Sequence, residues 1–441
     1  MKKKINVRDL KAGMYVYELD RPWRDTPFPF QGFQIENDEA ISQLRQHCEH
    51  VFIDPDRSLA TVSPIQAWRA PRPVSAEEKQ GPTAELREVV EKTTAHRPRR
   101  VYQDQATVEE EARFIKETHE QASSLVHSVM EDVQRGGTFD VGTAKKVVDD
   151  MTQSVLRNPD ALICFTHLKK RHEYTALHSL RVCILALAFG RHLGFDEETL
   201  NVLGIGALLH DVGKMKVPLE ILNKPGKLTE HESRIMRNHV PYGVGVLERT
   251  KGIPKKAIEV ARLHHERCDG TGYMDELKGD QISEFGLIGA IVDVYDAITS
   301  DRPYGHGIAT LDALNKMYAW RQTHFHSRLV EQFIQCMGIF PIGSLVRLNS
   351  HDIGVVKTMN RAQRLKPQVA LVLKPDKTRH PFRRTVDLAH ETNGRGQPYE
   401  ITKVLPAGLY GVQPVDYLPI AAMAQPSPTP VGQHRAQQRS I

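Results

Sequence analysis

The sequence predicts a mainly α-helical protein: a helical bundle with a small strand-rich domain before it and a small β-rich appendage after it. Three observations support this prediction. Helical periodicity dominates residues 105 to about 340, with no strand pattern between the helices. Short alternating segments of β-forming residues occur in residues 1–60 and again after Gly343. The 441 residues are also enough for two or three domains of roughly 100–200 residues each.

Changes in composition divide the chain into five segments. They are an N-terminal strand-rich domain (1–60), a proline-rich linker (61–104), the helical domain (105–342), the β appendage (343–421) and a disordered tail (422–441). In the first domain we expect strands over residues 5–10, 14–19 and 51–54, and one helix over 38–47 with Asn37 as its N-cap.

The helical domain contains seven clear amphipathic or apolar segments. They cover residues 108–132, 143–156, 176–193, 200–209, 230–248, 254–264 and 282–299. The segment 176–193 is apolar on most faces, which is typical of a helix at the buried centre of a bundle. In the appendage, strands are expected over residues 344–348, 354–357 and 368–373.

Composition excludes several classes of protein. A formal net charge of +5 suits an anionic substrate but is too small for a dedicated nucleic-acid binder. The five cysteines are scattered and form no CxxC pair, which argues against disulfides and thiolate zinc sites. The N-terminus has no apolar stretch of a secretory signal, and no run of 18 apolar residues occurs. We therefore expect a cytoplasmic protein with no membrane or nucleic-acid partner.

Histidines and aspartates recur at regular intervals through the helical domain. The gaps are 32, 29, 25 and 28 residues (178 to 210, 210 to 239, 239 to 264, 265 to 293), each about one helix plus one turn. Successive helices of a bundle can therefore bring these side chains to one centre. Imidazoles and carboxylates are ligands of Fe, Mn, Zn and Ni. The residues are His178, His210, Asp211, His239, His264, His265 and Asp293.

Each residue of this set also has a plainer interpretation. His178 can be a core histidine with satisfied hydrogen bonds, Asp211 can cap a helix end, and Asp293 can pair with a nearby base. Together these interpretations are weaker, because burying His178 and Asp293 in apolar helices is costly unless each is paired or liganded. Asp211 beside His210 can also bridge two cations, which makes a metal site the stronger hypothesis.

Around this set, several motifs resemble the HD-GYP family. They are His210-Asp-Val-Gly-Lys214, Val217-Pro218, Ile221-Leu-Asn-Lys-Pro-Gly-Lys-Leu228, His264-His-Glu-Arg-Cys-Asp-Gly-Thr-Gly-Tyr273, Asp293-Val-Tyr-Asp-Ala297 and Asp301-Arg-Pro-Tyr304. The resemblance covers residues 160–345, with the motifs in order. Gly13-Met-Tyr-Val16, Pro22-Trp23 and Thr26-Pro-Phe resemble the uncharacterised domain that often precedes HD-GYP modules.

The resemblance implies an HD-type helical bundle and a phosphodiesterase that hydrolyses cyclic di-GMP to linear pGpG, and it leaves open whether cleavage stops there or goes on to GMP. It implies that the seven residues of the set bind two divalent metal ions, Fe or Mn, with Zn or Ni as alternatives. GGDEF-domain proteins are implied as partners, and a homodimer is compatible. Asp211 and Lys214 are the implied catalytic residues. The implied substrate-binding residues are Lys214, Asp269, Tyr273 and Arg302.

Three positions depart from the family pattern. Met274 replaces the proline of the GYP triplet, Gly305 stands where a basic residue is common, and Tyr174 replaces a glutamate that supports a third metal in some members. Tyr174 therefore favours two metals. Because Met274 supplies neither charge nor ligand, we expect Met274→Pro to leave turnover within about tenfold.

The same departures keep two alternatives open. One is a catalytically weak or silent adaptor that binds cyclic di-GMP, and it rests on Met274 and Gly305. The other is an HD-type phosphohydrolase acting on nucleotides such as (p)ppGpp or dNTPs. The long loop over residues 267–280 favours the cyclic dinucleotide, and the complete ligand set argues against a silent site.

Overall fold

The computed structural model describes residues 3–10, 14–20, 33–35, 38–53, 83–91, 100–167, 174–224, 226, 228–300 and 307–421. They belong to two compact units, Met1–Pro73 and Val74–Ile441, which are treated separately below. The predictions for Asn37, Arg302, Gly305 and the tail 422–441 fall outside the described residues.

The first unit contains a four-stranded antiparallel sheet with strand order β1-β4-β2-β3. Its elements are β1 (Lys3–Asn6), β2 (Tyr15–Leu19), β3 (Phe33–Gln34), α1 (Asp38–His47) and β4 (His50–Ile53). The helix predicted over residues 38–47 is confirmed. The strand predicted over 5–10 is wrong after Asn6, because the Asn6 side chain accepts a hydrogen bond from the Arg8 amide and starts a 3-10 helix.

The second unit is built on a helical bundle around α6. The helices are α2 (Ala84–Glu91), α3 (Val108–Gln134), α4 (Val141–Arg157), α5 (Pro159–Phe165), α6 (Tyr174–Leu193), α7 (Glu197–Leu209), α8 (Leu219–Leu222), α9 (Glu230–Arg237), α10 (His239–Arg249), α11 (Lys255–Leu263), α12 (Glu284–Thr299), α13 (Thr310–Ala319) and α14 (Ser327–Met337). α6 packs against α3, α4, α5, α7, α12 and α14. Its window Ala176–Leu193 is long and apolar enough to cross a membrane, and 89% of that window is buried inside the fold.

One sequence prediction within the bundle is corrected. The single helix expected over residues 230–248 is two helices, because the chain breaks at Asn238, whose amide bonds back to the carbonyls of Ile235 and Met236. The break makes His239 the first residue of α10. The periodic pattern continues across this break, so no feature of the sequence indicates it.

Part of the predicted linker over residues 61–104 belongs to the bundle. Helix α2 buries its apolar face in the bundle core, and the Gln335 side chain of α14 donates to the Val89 carbonyl at 2.7 Å. Further on, the Tyr102 hydroxyl donates to the Phe195 carbonyl at 2.8 Å. The linker prediction is wrong for these two stretches, since their burial depends on partners far along the chain.

A five-stranded antiparallel sheet follows the bundle, with strand order β8-β7-β6-β5-β9. The strands are β5 (Leu345–Leu348), β6 (Ile353–Thr358), β7 (Gln368–Leu373), β8 (Arg379–Asp387) and β9 (Ile401–Leu405). The three predicted strands are confirmed as β5, β6 and β7. Strands β8 and β9 were not predicted, because polar residues interrupt their apolar pattern. The sheet shares one continuous hydrophobic core with the bundle.

Candidate metal centre

Helix ends and two helix interiors bring all seven predicted ligands together. His178 lies in α6 and Asp293 in α12, whereas the others lie where α7, α10 and α11 begin or end. Six of the seven side chains are buried, and His265 is half-buried. The remaining six are His178, His210, Asp211, His239, His264 and Asp293.

Asp211 stands between two groups of histidines. Its Oδ2 atom lies 3.4 Å from His178 Nε2 and 3.3 Å from His210 Nε2. Its Oδ1 atom lies 3.4 Å from His239 Nε2 and 3.8 Å from His264 Nε2. The two oxygens of one carboxylate therefore face two different sets of imidazoles.

We call these sets the first group (His178, His210 and Asp211) and the second group (His239, His264 and His265). Within each group, the possible ligand atoms lie within 4.8 Å of one another. Asp293 joins the first group, because its Oδ1 is 3.0 Å from Nε2 of His178 and 3.8 Å from Nε2 of His210. Each group can hold one cation, and Asp211 can serve both.

Three of the imidazoles are oriented by the main chain. In each case Nδ1 donates to a carbonyl three residues earlier, which directs Nε2 towards the centre. The pairs are His210 with Ala207 (2.7 Å), His239 with Met236 (2.7 Å) and His264 with Ala261 (2.9 Å). This orientation follows from the position of each histidine at a helix end, where a carbonyl of the last turn is available.

His178 is oriented by a carboxylate instead. Its Nδ1 donates to Asp296 Oδ2 at 2.7 Å, and Arg181 donates to both oxygens of Asp296 at 2.6 and 3.1 Å. Sequence reasoning missed Asp296 and Arg181 as site residues. A signal did exist, because Asp296 follows Asp293 by one helical turn and Arg181 follows His178 by one turn.

The charges of the centre favour neutral imidazoles in the second group. Burial lowers the pKa of His264 well below its ordinary value and lowers that of His265 to about 3. Burial alone would raise the pKa of Asp211, but Lys214 and the neighbouring histidines hold it well below its usual range. A charged carboxylate between neutral imidazoles is the donor set that a divalent cation requires.

The first group is more strongly charged. Burial would lower the pKa of His178, yet hydrogen bonds to Asp211, Asp293 and Asp296 raise it well above its ordinary value. Among the described residues, His210 Nε2 and Asp211 Oδ1 are buried with no hydrogen-bond partner. Buried polar atoms without partners are costly in a folded protein, and a bound cation would satisfy both. The residues present therefore fit a metal.

A contact between two backbones fixes the spacing of the ligands. Gly213 lies in a short 3-10 helix directly after His210 and Asp211, and that helix packs on α10. A Cβ atom at Gly213 would overlap the carbonyl oxygen of His239 and the backbone nitrogen of Gly243. Only glycine permits this approach, which sets the separation between Asp211 and His239.

Polar and aromatic side chains line the entrance to the centre. The Lys214 ammonium pairs with Asp211 Oδ2, and about a fifth of its side chain is exposed. The Tyr273 ring stacks on His265 with centroids 4.6 Å apart, and the exposed Arg237 guanidinium lies 5.1 Å from the Tyr273 ring. The structure thus brings two of the four predicted substrate-binding residues to the centre, and adds Arg237, which the sequence did not suggest.

The other two predicted substrate-binding residues are placed differently. Asp269 is exposed and uses its carboxylate to accept from the amide and hydroxyl of Thr271, at 2.9 and 2.6 Å, within its own loop. These two hydrogen bonds indicate that Asp269 stabilises the turn. Arg302 lies outside the described residues.

The loop after His265 is held by a buried carboxylate. Glu266 accepts hydrogen bonds from the amides of Asp275, Glu276 and Leu277 at 2.7–3.1 Å. Met274 has a φ of +107°, which a proline ring cannot adopt. The loop therefore follows a path that excludes proline at 274, and the expectation that Met274→Pro changes turnover little loses its basis.

Comparisons with known proteins agree with this geometry. Residues 163–329 match the family described as HD domain, and residues 2–144 match a domain of unknown function, DUF3391. The chain is 36% identical over 376 residues to "Cyclic di-GMP phosphodiesterase PA4108" of Pseudomonas aeruginosa, covering 84% of each chain.

Two further relatives are similar to this chain over little more than a third of its length. One is "Cyclic di-GMP phosphodiesterase response regulator RpfG" of Xanthomonas campestris pv. campestris, 38% identical over 159 residues, or 35% of this chain and 41% of that protein. The other is "3'3'-cGAMP-specific phosphodiesterase 2" of Vibrio cholerae, 37% identical over 169 residues, or 38% and 32%. With its seven clustered ligands, its HD domain and its similarity along most of its length, the chain belongs to the HD-GYP family of cyclic di-GMP phosphodiesterases that carry an N-terminal DUF3391 domain.

Proposed function

We propose that this protein hydrolyses cyclic di-GMP in a metal-dependent reaction, giving linear pGpG and then GMP. The observation that carries the proposal is the position of Asp211, whose two oxygens face two separate groups of imidazoles. The relatives named as cyclic di-GMP phosphodiesterases support the choice of substrate.

The cofactor in this proposal is a pair of divalent cations, one in each group. Iron or manganese suits the mixture of imidazole and carboxylate donors, and zinc or nickel is an alternative. Tyr174 offers no anionic ligand for a third cation. Once bound, the cations would activate water for attack and stabilise charge on the phosphate.

Residues of the chain would position the substrate. Lys214 places a positive charge at the entrance, where it can attract the phosphodiester and oppose the charge that develops on it. Tyr273 offers an aromatic ring beside His265, with Arg237 on its other side. Aromatic rings and arginine planes are suitable surfaces for a guanine base.

The test is a substrate screen with the full-length protein after loading with iron or manganese. Cyclic di-GMP, 3'3'-cGAMP, ppGpp and a dNTP are incubated separately, and products are resolved by ion-pair chromatography beside metal analysis. We expect cyclic di-GMP to give pGpG at the highest rate. A preference for 3'3'-cGAMP would assign the specificity named for the Vibrio cholerae relative. Cleavage of ppGpp or the dNTP alone would replace the proposal with the broader phosphohydrolase alternative.

The screen also tests the silent adaptor. Tight binding of cyclic di-GMP to fully metal-loaded protein, without turnover, would support the adaptor and contradict the enzyme. We propose the cytoplasm as the compartment, supported by five cysteines that are all free thiols. A GGDEF-domain partner and a homodimer stay predictions from the sequence.

A further inference from the structure

A second polar cavity lies at the other end of α6 from His178. It measures about 210 Å³ and is lined by parts of α5, α6 and α14, by residues 100–102 and by the loop after β6. Arg191, which lines it, follows His178 by 13 residues, or about 20 Å along the helix at about 1.5 Å per residue. The cavity is therefore separate from the metal centre.

Arginines dominate the wall of this cavity. Of the described residues that line it, four are arginines and none is acidic: Arg100, Arg191, Arg361 and Arg364. Two carboxylates, Asp104 and Asp160, lie behind them. Four positive charges against two negative charges leave a net charge of +2 (4 − 2) around a small volume. Unbalanced positive charge of this kind attracts an anion.

The two carboxylates are already occupied by two of the arginines. Arg361 donates to Asp104 at 3.0 Å and to Asp160 at 2.6 Å, and Arg191 donates to Asp104 at 2.9 Å. Arg361 and Arg191 are thus held in place, and neither carboxylate forms a hydrogen bond or ion pair with Arg100 or Arg364 among the described contacts. The guanidinium groups of Arg361 and Arg191 are therefore restrained at the cavity wall, and their other N–H groups are available to a ligand.

Two donors at the cavity have no protein partner. Arg191 is 95% buried (5% exposed), and its Nε has no hydrogen-bond partner among the described residues. The half-buried Arg364 forms no hydrogen bond or ion pair with any described residue. Burial lowers the pKa of both arginines, and the nearby charge of Arg361 lowers it further. A desolvated guanidinium N–H without a partner is costly, and a bound anion could accept from Arg191 Nε and pair with Arg364.

Neighbouring groups complete a site for a phosphate. The Tyr102 ring lies 5.8 Å from the Arg100 guanidinium and 5.5 Å from that of Arg191, which restrains both. His192 hydrogen-bonds Gln332, and burial lowers its pKa to about 3. The imidazole is therefore neutral at physiological pH and can share hydrogen bonds with an anion without adding to the repulsion between the arginines.

We propose that this cavity is a second ligand site, which binds the phosphate group of a small anion through Arg100, Arg191 and Arg364. The planar fork of arginine matches phosphate oxygens in pairs. The cavity volume is about 210 Å³. That is below the roughly 300–1,000 Å³ that enclose a drug-sized ligand. The cavity therefore encloses a phosphate, either free or at the end of a nucleotide, and not a whole dinucleotide.

The test uses the metal-loaded full-length protein and calorimetric titration with inorganic phosphate and, separately, with GMP. Arg364→Gln removes the charge that has no protein partner, so the fold loses no contact among the described residues. We expect phosphate to bind this variant at least about tenfold more weakly than wild type, because a charge-assisted hydrogen bond is lost. Arg395→Gln, an exposed arginine that does not line the cavity, is the matched control and should bind as wild type does.

The variant Asp211→Asn distinguishes phosphate binding at the metal centre from phosphate binding in the cavity. Binding that depends on Arg364 should remain in this variant. Tighter binding of GMP than of phosphate would identify a nucleotide, and equal binding would identify free phosphate as the ligand. Without phosphate, Arg364→Gln should unfold at a temperature no lower than wild type, which shows that the variant folds.

Equal phosphate affinity in wild type and Arg364→Gln would overturn the proposal. So would crystals soaked in tungstate that show no anomalous density beside Arg364. Turnover of cyclic di-GMP by Arg364→Gln should equal that of wild type, because this residue does not belong to the catalytic centre. A failure of the second site is thereby distinguished from a failure of the proposed enzyme activity.

Discussion

The first and second groups around Asp211 differ in charge and in support. The first group has a carboxylate of its own in Asp293, and its His178 is held by the carboxylate of Asp296. In the second group, His239 and His264 donate hydrogen bonds to main-chain carbonyls. Apart from the shared Asp211, no carboxylate among the described residues contacts the second group within salt-bridge distance.

The difference implies two cation sites of unequal strength. A cation in the first group interacts with more negative charge at short range, and this attraction is large where water is excluded. Among the described carboxylates, only Asp211 contacts the second group, while Asp293 acts on His264 and His265 from beyond salt-bridge distance. It is also the half that the loop covers, through the stacking of Tyr273 on His265. We therefore expect substitutions to separate the two halves.

The largest effect is expected from Asp211→Asn. The substitution keeps the shape of the side chain and removes the one charge that both groups share. Turnover of cyclic di-GMP should fall by at least about a thousandfold, equivalent to about 4 kcal/mol in barrier height. Metal analysis should show less than one cation per chain. Retention of two cations by this variant would show that the groups do not depend on a shared carboxylate.

Lys214→Ala should have a smaller effect on turnover and a different signature. The ammonium pairs with Asp211 but is partly exposed, and bound cations would themselves balance the charge of Asp211. We expect full metal content and a rate lowered by about a hundredfold, since one charge that stabilises the transition state is lost. Loss of metal together with loss of fold would instead assign Lys214 a structural role.

Asp296→Asn tests the first group alone. The amide cannot accept hydrogen bonds at both former oxygens, so the hydrogen bonds that residue 296 makes to His178 and to Arg181 weaken, and His178 is oriented less firmly. Substitution of such outer partners lowers metal affinity by about 10–100-fold. Titration with a chelator should release one cation early and leave the second group's cation unchanged. Simultaneous release of both cations would show that the halves act as one site.

The smallest effect is expected at Met274, in the loop that covers the second group. Met274→Gly suits the φ of +107° and should keep turnover within about twofold, while stability rises by about 1 kcal/mol. Met274→Pro forces a different φ next to Tyr273 and should lower turnover by more than about tenfold. Thermal unfolding and steady-state kinetics measure both. A proline variant with wild-type turnover would show that the stacking of Tyr273 is dispensable.

The ligands could be predicted from sequence because each is a distinctive residue and they recur once per helix, five of them where a helix begins or ends. Their spacing reflects helix length, and helix length is visible in the hydrophobic pattern. Asp296 and Arg181 were missed for another reason. A carboxylate and a guanidinium at helical spacing are also typical of an exposed helix face, and only the packing of α6 on α12 reveals that they meet behind His178.

Two features of the backbone were not visible in the sequence either. The break at Asn238 lies inside a continuous helical pattern. The group that ends α9 is the backbone N–H of Asn238, and every residue except proline has such a group. The positive φ of Met274 is imposed by the amides that Glu266 gathers, nine to eleven residues away. Local preference is outweighed in both places by contacts made elsewhere in the fold.

The contact at Gly213 has a consequence for how such an enzyme can change. No side chain stands between the segment that carries Asp211 and the start of α10, so there is nothing there to trim or enlarge. The distance between the two halves of the centre is therefore a fixed dimension, inherited with the backbone. Substrate preference can shift by exchanging residues at the entrance, such as Arg237 or Met274. The distance between the two groups of ligands can change only if the short helix after Asp211 moves away from α10.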